Sequence, residues 1–287
     1  MKLFGLRYLK WITFVVLAFV VAQNTLAAAR ITRLTPAGSS SVPAHTQPTP
    51  VIHASVNLTM YIYLPLVTRA DVCQPTGETY GTLAPNGPMP PGVAETHPDI
   101  NLAVRGYQLT SAYLGLVDYA GQIDPAAPQL PSLFTDDRTA VFSQAYKVYR
   151  WDWNCNCRSG PITKWDVTVA GLATTSGEVI HLPVAGYDVG GGYGALVLYA
   201  STNRITLKYM RDDDVIGGYT IHLENVCVDP NLLALYGAMD AAGRAELPAL
   251  RPGQPLGRAM ASEIGVAVRD SGSFLDPRSR KDWWQGR

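Results

Sequence analysis

Residues 195–228 read ALVLYASTNRITLKYMRDDDVIGGYTIHLENVCV. Three strands are expected within them: Ala195–Ala200, Ile205–Met210 and Tyr219–Val228. Each is dense in β-branched and aromatic side chains, which suit a half-buried pleated surface. Asn203 separates the first two. Asp212-Asp213-Asp214 and Gly217-Gly218 separate the second and third. Such residues tolerate the backbone angles of tight turns. Calcium loops space their carboxylates at alternate positions, which the Asp212–Asp214 run does not do. It is expected to be a solvated hairpin tip.

The pattern extends in both directions. Thr139–Trp153 reads as a long strand or hairpin arm carrying Val141, Tyr146, Val148, Tyr149, Trp151 and Trp153. Asp166–Ala173, Glu178–Leu182 and Ile264–Arg269 are further strand segments. Gly190-Gly191-Gly192-Tyr193-Gly194 lacks the Lys-Ser/Thr of a phosphate loop and runs into a strand, so a tight turn is expected there. One helix stands out. Asp229 suits its N-cap, Pro230 its first turn and Gly243 its stop, with Leu232, Leu233, Leu235, Tyr236 and Met239 as the apolar face. The expected fold is mainly β: a single antiparallel sandwich or partly closed barrel with one short α-helix.

The chain has 287 residues, 47% hydrophobic and 16% charged, which is a globular composition. Its 23 basic and 23 acidic side chains cancel. Nucleic-acid binders draw affinity from phosphate contacts and show a basic surplus, so no nucleic-acid partner is expected. Lys2, Arg7 and Lys10 precede an apolar run from Trp11 to Ala22, and Ala27-Ala28-Ala29 follows Gln23-Asn24-Thr25. That is the layout of a secretory signal cleaved after Ala29. A spanning helix needs about 20 apolar residues, so no stable membrane span is expected after cleavage. Residues 1–29 therefore read as signal peptide. Residues 30–72 read as a Pro/Ser/Thr-rich linker with one short strand, Leu58–Val67. Residues 73–287 read as a mostly β extracellular domain. The expected location is secreted, extracellular or cell-wall associated.

Export bears on Cys73, Cys155, Cys157 and Cys227, the four cysteines of the chain. Outside the cytoplasm an even set reads as disulfides. Cys155 and Cys157 stand two apart in an expected strand and so point the same way. A bond between them would be strained, and each is expected to reach a distant partner, Cys73 or Cys227. A zinc site from Cys-Asn-Cys is the rival, but thiolate pairs usually have roughly two to four residues between them. No metal and no cofactor are expected.

Trp151 and Trp153 share a strand face, as a sugar-stacking platform would require; core packing is the competing reading. Of Trp283-Trp284, one is expected to bury and the other to cover. His181 and His222 lie in strand patterns, and His45 and His53 in or near the linker. His97 is the notable one, in His97-Pro98-Asp99-Ile100-Asn101.

Residues 178–277 resemble the lysostaphin-type peptidoglycan metallopeptidases. The matching pieces are Gly192-Tyr193-Gly194 entering an apolar strand and a faint Thr206-Leu207-Lys208-Tyr209-Met210. The Gly253-Gln254-Pro255-Leu256-Gly257 turn, Glu263–Arg269 and Asp276-Pro277 follow in the same order. The resemblance implies that family's duplicated-hybrid β fold. It also implies a zinc site where this chain departs. The His-x-x-x-Asp pair corresponds to His97 and Asn101. The His-x-His pair corresponds to Glu263 and Gly265, and the further strand histidine falls near Met210. A catalytic zinc needs three protein ligands, so the resemblance implies the fold without the peptidase, a pseudoenzyme. The whole chain also resembles a group of secreted bacterial proteins that carries no activity to transfer. The shared features are Tyr63–Val67, Trp151–Arg158 and Arg269–Trp284.

The expected function is a non-catalytic envelope or surface protein that binds wall glycan, wall peptide or a surface protein. The candidate ligand-binding residues are His97, Asp99, Asn101, Glu263, Arg269, Trp151 and Trp153, with no catalytic residue. Two alternatives stand beside it. One is a zinc-dependent hydrolase with an unorthodox site from His97, Asp99 and Glu263. The other is a disulfide-stabilised module for surface assembly.

Overall fold

A computed structural model describes residues 73–87 and 92–287. The expected signal peptide and the linker with its Leu58–Val67 strand lie outside the described residues. In chain order the elements begin with β1 (Gly81–Leu83), α1 (Leu102–Arg105), β2 (Tyr107–Leu109), β3 (Phe142–Asp152), β4 (Cys157–Pro161) and β5 (Val169–Ala173). There follow β6 (Val179–His181), β7 (Ala195–Ser201), β8 (Arg204–Lys208), β9 (Tyr219–Glu224), β10 (Val226–Val228) and α2 (Pro230–Ala241). The chain ends with β11 (Leu247–Leu250), β12 (Pro255–Ala259), β13 (Glu263–Asp270), β14 (Ser273–Leu275) and α3 (Arg280–Trp283).

The large sheet runs β1-β11-β7-β8-β9-β13-β5-β3-β2, with β14 on β13 and β4 on β3; β10-β12-β6 form a second sheet. All pairings between these strands are antiparallel. Neither sheet closes, so the partly closed barrel does not hold. Among the described residues three α-helices stand where one was expected. α1 and α3 span one turn each, too short to write an apolar period into the sequence.

Alternation sorts the central strands into two faces. Ile205, Leu207, Ile221, Leu223, Ile264, Val266 and Val268 enter the main core. Thr206, Lys208, Thr220, His222, Glu224 and Arg269 point the other way and are buried too. Residues 97–109 run across part of that polar face: the Thr206 hydroxyl donates to the Ile100 carbonyl at 2.6 Å. Leu102 joins Val148, Val169, Ala267 and Phe274 in a second apolar cluster there.

Local chemistry explains the joints. Asn225 takes a left-handed backbone (φ 59°), which Asn tolerates. It divides the expected Tyr219–Val228 strand into β9 and β10, which belong to different sheets. Asp229 caps α2 by accepting from the Asn231 amide at 2.8 Å, and Gly243 (φ 88°) follows its end.

Three expectations need correction. Asp213 is not solvated. It is buried and held by Arg244, whose Nε and Nη2 donate to the carboxylate at 2.8 and 2.6 Å. Trp283 and Trp284 are both buried. Each indole N–H reaches a carbonyl, Asp276 and Pro277 at 2.9 Å, which makes full burial tolerable. The disulfides are Cys73–Cys227 and Cys155–Cys157. Cys155 lies in the turn between β3 and β4 rather than in a strand. Asn156, at φ 51°, folds that turn back and leaves the two cysteine Cα atoms 5.2 Å apart.

Candidate binding surface

The His97–Arg105 segment is stitched together by its own polar groups. His97 Nδ1 accepts from the Asp99 amide at 3.2 Å. Asn101 caps α1: its Oδ1 accepts from the Ala103 amide at 3.1 Å, and its Nδ2 donates to the Glu95 carbonyl at 2.6 Å. Asp99 Oδ1 accepts from Arg105 Nε at 3.1 Å and from Arg269 Nη2 at 3.0 Å. The Phe274 ring lies 4.6 Å from the Arg269 guanidinium carbon, close enough for a cation–π contact.

Burial works to raise the Asp99 pKa, but Arg269 and Arg105 outweigh it and hold the carboxyl below its ordinary value. Burial pushes Arg269 down to about 10 despite Asp99. His97 is lowered by burial, and the two guanidinium groups add to that.

Behind this segment lies His222. The Thr206 hydroxyl has given its only hydrogen to Ile100, so His222 Nδ1–H donates to Thr206 Oγ1 at 3.0 Å. That assigns the tautomer and leaves Nε2 an acceptor. Among the described residues nothing bonds to it, nor to the Thr220 hydroxyl two positions earlier. Burial, with Arg269 adding, lowers the His222 pKa well below normal, so the ring is neutral.

The other end of the face carries a second polar group. Ser143 Oγ and Tyr146 OH donate to Glu263, the latter at 2.7 Å. Tyr107 packs edge-on to Tyr146 at 5.3 Å, and its hydroxyl lies 3.5 Å from Glu224. Burial raises Glu224 to about 7, against the pull of Arg204 and Tyr107. A Cβ on Gly265 would lie 3.2 Å from Glu224 Cβ and 3.4 Å from Val169 Cγ1, leaving little room for a side chain at that position.

The structure therefore divides the candidate residues. His97, Asp99, Asn101 and Arg269 assemble at one end of the face. Glu263 is six residues from Arg269 on β13, about 20 Å along the strand, and binds β3 instead. Glu263 therefore stands apart from His97 and Arg269. Trp151 is half-buried and donates from Nε1 to Asn156 Oδ1 at 3.2 Å. Trp153 is 58% exposed, so core packing does not describe it, and its ring centroid lies 5.9 Å from that of His97. Arg158 ties this hairpin tip to α1, donating from Nε to the Val104 carbonyl and from Nη2 to the Ala103 carbonyl, both at 2.8 Å.

Sequence reasoning did not single out Arg105, Arg158 or Glu224, and it placed His222 in a strand without its open Nε2. Their partners lie on other elements, and no spacing announces them. Among the described residues, no group of three or more His, Cys, Asp or Glu is placed to hold a metal ion. No helix among the described residues is long and apolar enough to cross a membrane. Comparisons with family models, curated proteins and solved structures return no match for this chain.

Proposed function

We propose that this protein is an exported, non-catalytic binding protein of the cell envelope, and that it holds wall glycan or peptide at the Trp153 tip. The observation that carries this reading is the exposure of Trp153 beside His97 on a braced hairpin. An indole face left in water costs hydration free energy and is well suited to stack on the C–H face of a sugar ring. Arg158 and the Cys155–Cys157 link limit the ordering that binding would require.

The remaining candidates brace the His97–Arg105 segment beside the tip. Asn101 spends both ends of its amide on backbone groups. Asp99 is committed to two guanidinium groups, and His97 Nδ1 to an amide. The proposal includes descent from a lysostaphin-like β domain with its zinc ligands lost. Gly265 suits that history, because it offers no ligating side chain and a Cβ there would press on Glu224 Cβ at 3.2 Å. Two disulfides suit an oxidising compartment.

The test is co-sedimentation of the purified protein with isolated peptidoglycan, alongside measured zinc content and a cleavage assay. Saturable binding without turnover supports the proposal. Stoichiometric zinc with cleavage overturns it, and absence of binding favours a surface-assembly module.

A further inference from the structure

We infer that Cys155–Cys157 is an exchangeable disulfide, opened by an external thiol, whereas Cys73–Cys227 is a permanent brace.

The two bonds differ in access. Cys155 and Cys157 are exposed, as are all residues from Asp152 to Gly160. Cys227 is 4% exposed, between buried Val226 and Val228 on β10, and its partner Cys73 is half-buried. Thiol–disulfide exchange requires a thiolate to reach one sulfur and the other to leave, so access governs its rate.

They differ as much in what opening them releases. Cys73 and Cys227 are separated by 154 positions, Cys155 and Cys157 by 2. Closing a short loop constrains the unfolded chain little. The β3–β4 ladder (Tyr149↔Pro161, Trp151↔Arg158, Asp152↔Cys157) and the Arg158 bonds to α1 do not depend on the sulfur link. The hairpin therefore survives reduction. The tip responds: Asn156, held at φ 51° inside the ring, is the acceptor for Trp151 Nε1, and Trp153 begins the same turn.

The chemistry balances with a thiol pair as reductant. A thiolate attacks one sulfur, the S–S bond breaks, a mixed disulfide forms, and the other cysteine leaves as thiolate and takes up a proton. A second thiol attacks the mixed disulfide and releases the remaining cysteine. The two thiols leave as their own disulfide, having supplied two electrons. The partner is thus an accessible dithiol or a pair of small thiols.

The test exposes the intact protein to limiting dithiothreitol at pH 8, quenches with iodoacetamide at intervals, and maps the alkylated cysteines by mass. Circular dichroism and tryptophan fluorescence are recorded on the same samples. Labelling of Cys155 and Cys157 at least ~10-fold faster than Cys73 and Cys227, with the β signal unchanged and the fluorescence altered, supports the inference. Concerted labelling of all four, earlier labelling of Cys73 and Cys227, or labelling only after the β signal is lost overturns it. Trp153→Ala tests the glycan reading by sedimentation and leaves the cysteine-labelling order intact, so the two proposals fail separately.

Discussion

Arg269 Nη2 stands 3.0 Å from Asp99 Oδ1, and Nη1 of the same guanidinium donates to the Asp99 carbonyl at 3.0 Å. One buried cation on β13 thus holds both the side chain and the backbone of the segment that crosses the polar face. Asp99→Ala leaves Arg269, only 3% exposed, without its carboxylate. Loss of one member of a buried pair costs about 3 kcal/mol or more. Urea denaturation should show a drop of that size; a change below about 1 kcal/mol would mean that water already screens the pair.

Glu224 sets a pH dependence. Its folded pKa, about 7, lies above the ordinary 4.5 because of burial. The folded state therefore retains a proton that the unfolded state gives up more readily. This group's contribution is fully present below pH 4.5 and is lost as pH rises towards 7. Glu224→Gln mimics the protonated form, so the variant gains relative to the parent by up to about 3 kcal/mol at pH 8. The gain vanishes near pH 4. Parallel melting curves across that range give the comparison, and a constant difference would contradict it.

Trp153→Ala removes an exposed ring and nothing from the core. Stability should stay within about 0.5 kcal/mol of the parent, while sedimentation with peptidoglycan falls roughly tenfold or more. Equal loss from Val141→Ala, another exposed apolar residue, would show the effect to be nonspecific.

The two disulfides should separate in thermal melts. Closing a loop of 154 positions is worth about 5 kcal/mol in the chain-entropy account, and closing one of 2 positions under about 2 kcal/mol. Replacing Cys73 and Cys227 with alanine should lower the Tm steeply. Replacing Cys155 and Cys157 should shift it by a few degrees. Equal shifts would mean that the hairpin tip contributes more to the fold than its exposure allows.

Much of the fold is legible in the chain itself. The strands of residues 195–228 follow from β-branched and aromatic density. α2 follows from Asp229, Pro230 and Gly243, and each of these signals acts within a few residues. The site is less legible. His97, Asp99 and Asn101 stand together in the sequence, but the cations that occupy Asp99 come from α1 and β13. Cys155 and Cys157 were misread because a left-handed Asn156 turns what looked like a strand into a hairpin tip.

By itself the sequence determined the β character, the capped helix and the balance of charge, since those rest on short-range preference and composition. Only the tertiary structure decided which cysteines bond, that Asp213 is buried with Arg244, that Glu224 holds its proton to about 7, and that Trp153 faces water. Desolvation, pairing across elements such as Asp213 with Arg244, 31 positions apart, and the fold of one turn at Asn156 decide such matters, and neither composition nor short-range preference records them.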